Sequence, residues 1–238
     1  MGWLRLGRLG RWVIGGLVAL AVLVVGGTWL YIHVIEGPAP APLSLHSGPA
    51  AHTSASSAPP GTAASVAGSW RVATGSVVGY RVNEVLAGQN NIAVGRSSDI
   101  SGSMTISGTT VAAASFTVQM ATIRSDQSQR DAQFDGRIMN TASYPTGILT
   151  LTQPVALGTL PTDGVVRTYQ AIANLTLHGQ TRSVTFTLQA ERTSAGIEVS
   201  GSIPIVFADY GISNPSLGSF VTTQDHGQLE FLVKFASA

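Results

Sequence analysis

The chain has no cysteine among its 238 residues, and that absence removes disulfides, thiolate metal centres, cysteine nucleophiles and a lipidated amino-terminal cysteine together. Charge is scarce as well. Asp, Glu, Lys and Arg make up 11% of the residues, and the net charge is +1. Arg5, Arg8 and Arg11 precede an apolar run and Glu36 follows it, so the chain from Gly37 onward carries a net charge of −1. A surface of that kind has no basic patch to neutralise a row of phosphates, which argues against nucleic acid as a partner.

One long uncharged run is present. From Trp12 to Ile35 no residue is charged, and a helix of that length crosses a hydrocarbon core of about 30 Å. Trp12 marks one end, and Trp29 and Tyr31 the other. Aromatic rings favour the membrane interface and the arginines favour the cytoplasmic side, which places everything after the run outside the cytoplasm. The expected division is a cytoplasmic basic tail over 1–11, a transmembrane signal-anchor helix over 12–35, a disordered Pro/Ala/Ser-rich linker over 36–68 and a domain over 69–238. A cleaved signal peptide is the competing reading. Its apolar region runs only about 7–15 residues with a small-residue site close behind, and Ala39-Pro40-Ala41, the nearest candidate, is followed by Pro42. The linker from Gly37 to Gly68 holds six of the eleven prolines and no charge. As a free coil it spans about 30 Å on average, and its His46 and His52 lack metal-ligand spacing.

Beyond Ser69 the texture is short alternating strands broken by Gly, Pro, Asn and Asp. Strands are expected near Ser76–Val85, Asp99–Ile106, Val111–Ala121, Ile148–Gln153, Thr168–Leu177, Thr181–Ala190, Ile197–Phe207 and Gln228–Phe235. Eight antiparallel strands with little helical periodicity make a sandwich or an up-and-down barrel the natural architectures. The clearest pair surrounds Gly179: Tyr169, Ala171, Ala173, Leu175 and Leu177 alternate before it, and Val184, Phe186, Leu188 and Ala190 after it. A shared greasy face requires an even-numbered connection, and the pairing expected is Leu177 opposite Val184 and Leu175 opposite Phe186. Ser125 to Ser143 is the main non-strand segment. There Asp126 is placed to cap a short helix that turns Phe134, Ile138 and Met139 toward a barrel mouth. Asp209 to Ser219 reads as a second loop, so both segments are candidate lids.

Several of these residues stand in a familiar order. Leu175 to Phe186, L-T-L-H-G-Q-T-R-S-V-T-F, resembles the L-T-x-x-G-x-T-R-x-V segment of the YceI-like polyisoprenoid-binding proteins. Gly79-Tyr80-Arg81-Val82, Gly95-Arg96, Arg130-Asp131 ahead of Tyr144-Pro145, and Phe207 to Ile212 follow in that family's sequence. The resemblance covers Trp70 to Phe235. It implies an all-β, antiparallel lipocalin-like barrel, which together with the strand and lid readings above gives an eight-stranded barrel with a short helical lid. It also implies an isoprenoid lipid such as a polyprenyl quinone as bound ligand, with no cofactor required. The chain departs from the family at Met139-Asn140 and Thr141-Ala142, where many members carry a more apolar or aromatic approach to the Tyr-Pro pair.

The residues expected at a lumen or its mouth are Tyr80, Phe116, Val118, Phe134, Tyr144, Leu149, Tyr169, Leu175, Phe186, Leu188, Phe207, Tyr210 and Phe231. Each also reads as plain core. Tyr80, Tyr144 and Tyr210 suit a polar quinone head, because a ring stays buried while its hydroxyl finds a partner. Arg130 and Asp131 either clamp a head group or hold the barrel end together. Asp225-His226 or His178, with Ser219 or Ser183, supply the elements of a hydrolase triad. No G-x-S-x-G elbow exposes a serine, and no catalytic or metal-ligating residue is assigned. The expected function is an extracytoplasmic, membrane-anchored lipid-binding barrel. Its rival is a non-enzymatic cell-surface interaction module whose barrel is filled by its own side chains.

Overall fold

The computed structural model describes residues 8–30, 39–45, 66–86, 88–158, 164–218 and 221–238. The first element is a helix, α1 (Arg8–Leu30), whose 23 residues rise about 34 Å at 1.5 Å each. Its side chains are described in stretches, 12–20, 22–24 and 26–27. Among the described residues no helix is long and apolar enough to cross a membrane. Residues 1–7 and 31–38, and with them the far end of the expected anchor, lie outside the described residues, as do His46 and His52.

Twelve strands follow: β1 (Gly68–Val72), β2 (Val77–Leu86), β3 (Gln89–Ser97), β4 (Ile100–Ser107), β5 (Thr110–Gln119), β6 (Thr146–Leu151), β7 (Val155–Ala156), β8 (Arg167–Leu177), β9 (Gln180–Thr193), β10 (Gly196–Val206), β11 (Val221–Thr223) and β12 (His226–Ser237). They form one antiparallel sheet that closes on itself. Neighbours run β4, β5, β6, β8, β9, β10, β12. The last of these pairs with β2 through Gln228 to Leu232 and with β1 through Phe235 to Ser237. Because β1 also pairs with β4, the circuit is an eight-stave barrel whose eighth stave is β1 followed by β2. All eight expected strands are present. β1, β3 and the short β7 and β11 are additions, and β3 pairs with β2 from Val78 opposite Ser97 to Leu86 opposite Gln89.

The hairpin around Gly179 is tighter than expected. Leu177 faces Gln180, Leu175 faces Arg182, Ala173 faces Val184 and Ala171 faces Phe186, so the pairing Leu177 with Val184 and Leu175 with Phe186 is corrected by four residues. Only His178 and Gly179 make the turn, both with positive φ, 47° and 74°, the geometry whose twist suits a two-residue hairpin. An even shift preserves side-chain parity, so the inward face is unchanged. A Cβ on Gly179 would lie 2.7 Å from the Tyr144 ring. Gly179→Ala is therefore expected to lose about 1–2 kcal/mol from the left-handed backbone alone and to shift the ring as well, measured as a lowered urea midpoint with unchanged slope.

Two apolar layers line the barrel. One, at the lid end, gathers Met120, Ile123, Phe134, Met139, Leu175, Leu177, Phe186, Phe207, Tyr210 and Ile212 among others. The other, toward β1 and the β4–β5 hairpin, gathers Val66, Val78, Met104, Ile106, Ile197, Val233 and Phe235. The lid itself is α2 (Ser128–Gln133) continued by a wider turn over Phe134–Ile138. Asp126 is not its cap: Gln127 holds that position without a side-chain bond, and Asp126 pairs instead with Arg130 one turn on. Asp131 does the tying, accepting from Ser125 N at 2.8 Å and Ser125 Oγ at 2.7 Å. The wide turn closes with Met139 N donating to Phe134 O at 2.9 Å, and both side chains are buried. Burial of an aromatic side chain of this kind is worth about 1.5–3 kcal/mol, which holds the short lid down although six residues of helix have little stability alone.

Candidate functional site

Inside the barrel lies a cavity of about 340 Å³ that touches both apolar layers, from Phe207 and Ile212 under the lid to Ile106, Leu157 and Phe235 at the far end. Its size falls in the range of small-molecule sites, about 300–1,000 Å³. The wall is apolar because β-strand parity sends alternate side chains inward. Val78, Tyr80 and Val82 come from β2, Ala171, Ala173, Leu175 and Leu177 from β8, and Leu229, Phe231, Val233 and Phe235 from β12. The alanines matter, since Ala173 is 1% exposed and its small side chain leaves open space where a larger one would fill it.

Eleven of the thirteen expected residues line this cavity: Tyr80, Phe116, Val118, Phe134, Leu149, Tyr169, Leu175, Phe186, Leu188, Phe207 and Phe231. The lining does not include Tyr144 or Tyr210. The Tyr144 ring packs 4.3 Å from His178 over the hairpin turn, and Tyr210, 2% exposed, is sunk in the lid-end core. Met120, Ile123, Ala93 and Met104 line the cavity as well and were not expected. Met104 shares the parity of Ile106 on β4 and was legible from it. Met120 opens a single 3-10 turn, Met120–Thr122, and Ile123 follows it, a segment with no period to read.

The polar groups of the lining gather partly at the lid. Arg130 Nη2 lies 3.4 Å from Glu84 Oε1, and Arg130 also pairs with Asp126. Asn91 Nδ2 donates to Glu84 Oε1 at 2.8 Å. Beside them the Tyr80 ring stacks on Phe134, centroids 5.2 Å apart and planes 14° from parallel. Burial pushes the Tyr80 hydroxyl well above its ordinary pKa, against the opposing pull of Arg130, so it stays protonated across the physiological range. Tyr169, at the other end, reaches Leu157 O at 3.5 Å, and burial raises its pKa too. Arg130 thus meets the cavity while engaged by two carboxylates, whereas Asp131 is committed to Ser125.

The histidines considered for chemistry are held elsewhere. His178 Nδ1 sits 3.2 Å from Tyr210 O, and His226 Nδ1 is 2.7 Å from Asp225 Oδ1 at an exposed position. That hydrogen bond holds the Asp225 carboxyl below its usual range. Ser219 lies outside the described residues. Among the described residues no group of three or more His, Asp or Glu side chains is arranged to hold a metal ion.

Solved structures share the fold, among them two at a TM-score above 0.5. A polyisoprenoid binding domain from Saccharophagus degradans, implicated in plant cell wall breakdown, is 18% identical with a TM-score of 0.58, over 71% of this chain and 98% of that one. BcnA of Burkholderia cenocepacia is 20% identical with a TM-score of 0.51, over 66% of this chain and 96% of that one. No curated protein matches the chain. The model of the YceI-like domain matches residues 70–235, from within β1 to within β12, and the chain belongs to the YceI-like family.

Proposed function

We propose that this protein is a membrane-anchored, extracytoplasmic carrier that holds one isoprenoid lipid in its barrel, with the tail in the cavity and a neutral polar head near Tyr80 and Arg130. The observation that carries the reading is the apolar cavity of about 340 Å³ touching both ends of the core. A barrel filled by its own side chains has no such space. The Saccharophagus neighbour, a polyisoprenoid binding domain, supports the ligand class. The lid supports a neutral head: Arg130 is offset by Glu84 and Asp126, so an added diphosphate meets net negative charge, whereas a quinone carbonyl accepts a hydrogen bond from the protonated Tyr80 hydroxyl. The eleven lining residues named above are the proposed contact set, and the protein binds its ligand without transforming it.

The anchor belongs to the same proposal. Arg5, Arg8 and Arg11 before the apolar run, with the aromatic pair after it, support an orientation in which the barrel lies across the membrane from the cytoplasm. The full chain, released from host membranes in mild detergent and extracted with organic solvent, is expected to yield an isoprenoid lipid by mass spectrometry at close to one per chain. Repeated recovery of an empty barrel that also fails to take up a polyprenyl quinone would sink the reading.

A further inference from the structure

The segment Ala39 to Leu45, A-P-A-P-L-S-L, was read from sequence as free linker, yet the structure lays it on the outside of the barrel. Arg81 Nη2 donates to Pro40 O at 2.6 Å, and Arg96 Nη2 donates to Ala41 O. Leu45 is 9% exposed. Beneath the segment, Arg81 Nε is 2.5 Å from Glu230 Oε1 and Arg96 Nη2 is 3.6 Å from Glu230 Oε2. Glu230 borders the cavity, but it takes the opposite parity on β12 to Leu229 and Phe231 and gives its carboxylate to the two arginines; it is 4% exposed. An outward carboxylate on a bare wall would be washed by water.

The chemistry of the two sides matches. Pro40 and Pro42 keep the segment extended and remove two of its backbone donors, so it offers carbonyl oxygens. Guanidinium groups offer only donors. The Glu230 carboxylate, gripped from both sides, fixes the two forks in place.

We propose that the wall around Arg81, Glu230 and Arg96 is a docking surface whose partner is the chain's own membrane-proximal segment, and that docking turns the tether into a short leash. Ala39 lies four residues beyond Ile35, at most about 14 Å of chain. A tether free from residue 36 to 68 reaches about 110 Å when extended. The strap therefore keeps one wall of the barrel close to the point where the anchor leaves the lipid, near the source of an apolar ligand. The leash rests on the anchor reading, while the docking itself is independent of any bound lipid.

The absence of native cysteine permits a direct test. Spin labels at Ala41→Cys and Thr187→Cys, in the full chain in detergent, report the distance between strap and barrel. A single narrow distance distribution is expected, unchanged when labelled chains are diluted tenfold with unlabelled ones. Leu45→Asp, which leaves the wall intact, is expected to broaden it. A broad distribution with Leu45 intact would overturn the docking, and a signal lost on dilution would place the strap on a neighbouring copy and overturn the leash. Neither result depends on the lipid found in the extract, so the two proposals fail separately.

Discussion

Ala173→Phe is expected to reduce lipid recovered with the purified chain by about tenfold, equivalent to about 1.4 kcal/mol of binding, while the barrel stays folded. Ala173 sits on β8 between Leu151 of β6 and Val184 of β9, 1% exposed and facing the cavity. A benzyl group there takes the space that the isoprenoid tail would occupy. Stability provides the control. In a close-packed core the added ring costs about 1–3 kcal/mol through overpacking, but a ring entering empty apolar space gains dispersion contacts and buries its own surface. The expected pair of results is a thermal midpoint equal to or above that of the parent, together with the loss of lipid in the extract. A variant that falls in stability and keeps its lipid would show that the cavity is not the binding site.

The inward face of the barrel was legible because period-2 alternation is set by the pleat and survives errors of register. The Gly179 hairpin shows this: the expected pairing is displaced by four residues, yet Leu175, Phe186 and Leu188 line the cavity, and Leu177 of the same face lines it with them. β3 was invisible for a physical reason. Its inward positions include Ala93 and Gly95, and a Cβ on Gly95 would meet the Tyr80 ring at 2.4 Å, so the bulk there is supplied by β2 and no hydrophobic stripe is written in β3 itself. The placement of the tyrosines was also unreadable. Tyr80, Tyr144 and Tyr210 have the same chemistry, but stacking on Phe134 directs one to the cavity, while His178 and the lid-end core take the other two. The strap left least trace, because its hydrogen bonds use backbone carbonyls, and a backbone carbonyl has no residue type.

Glu230→Ala is expected to destabilise the barrel by about 3–5 kcal/mol, the usual cost of stripping one partner from a buried ionic cluster. In a domain of this size that lowers the thermal midpoint by about 10 °C or more. The geometry explains why the cost is high. Glu230 on β12 pairs with Gly79 on β2, and Gly79 pairs with Arg96 on β3, so the carboxylate and the guanidinium lie two strands apart, about 9–10 Å between backbones. They meet because the residue between them has no side chain; a Cβ on Gly79 would lie 3.0 Å from Arg96 Cγ and 2.0 Å from Gly95 O. Removing Glu230 leaves Arg81 and Arg96 facing each other across that gap with no counter-charge. Arg96 Nε and Glu230 Oε2, both buried, already have no hydrogen-bond partner, so the cluster has little spare bonding to redistribute. Replacing all three groups, Arg81→Met, Glu230→Leu and Arg96→Leu together, is expected to recover most of the loss, because a packed apolar cluster needs no counter-charge. The same triple variant removes both donors to Pro40 and Ala41, so the strap should release while the barrel regains its stability. A midpoint for Glu230→Ala within about 2 °C of the parent, less than 1 kcal/mol on this scale, would show that the cluster is open to water and that the strap does not seal it.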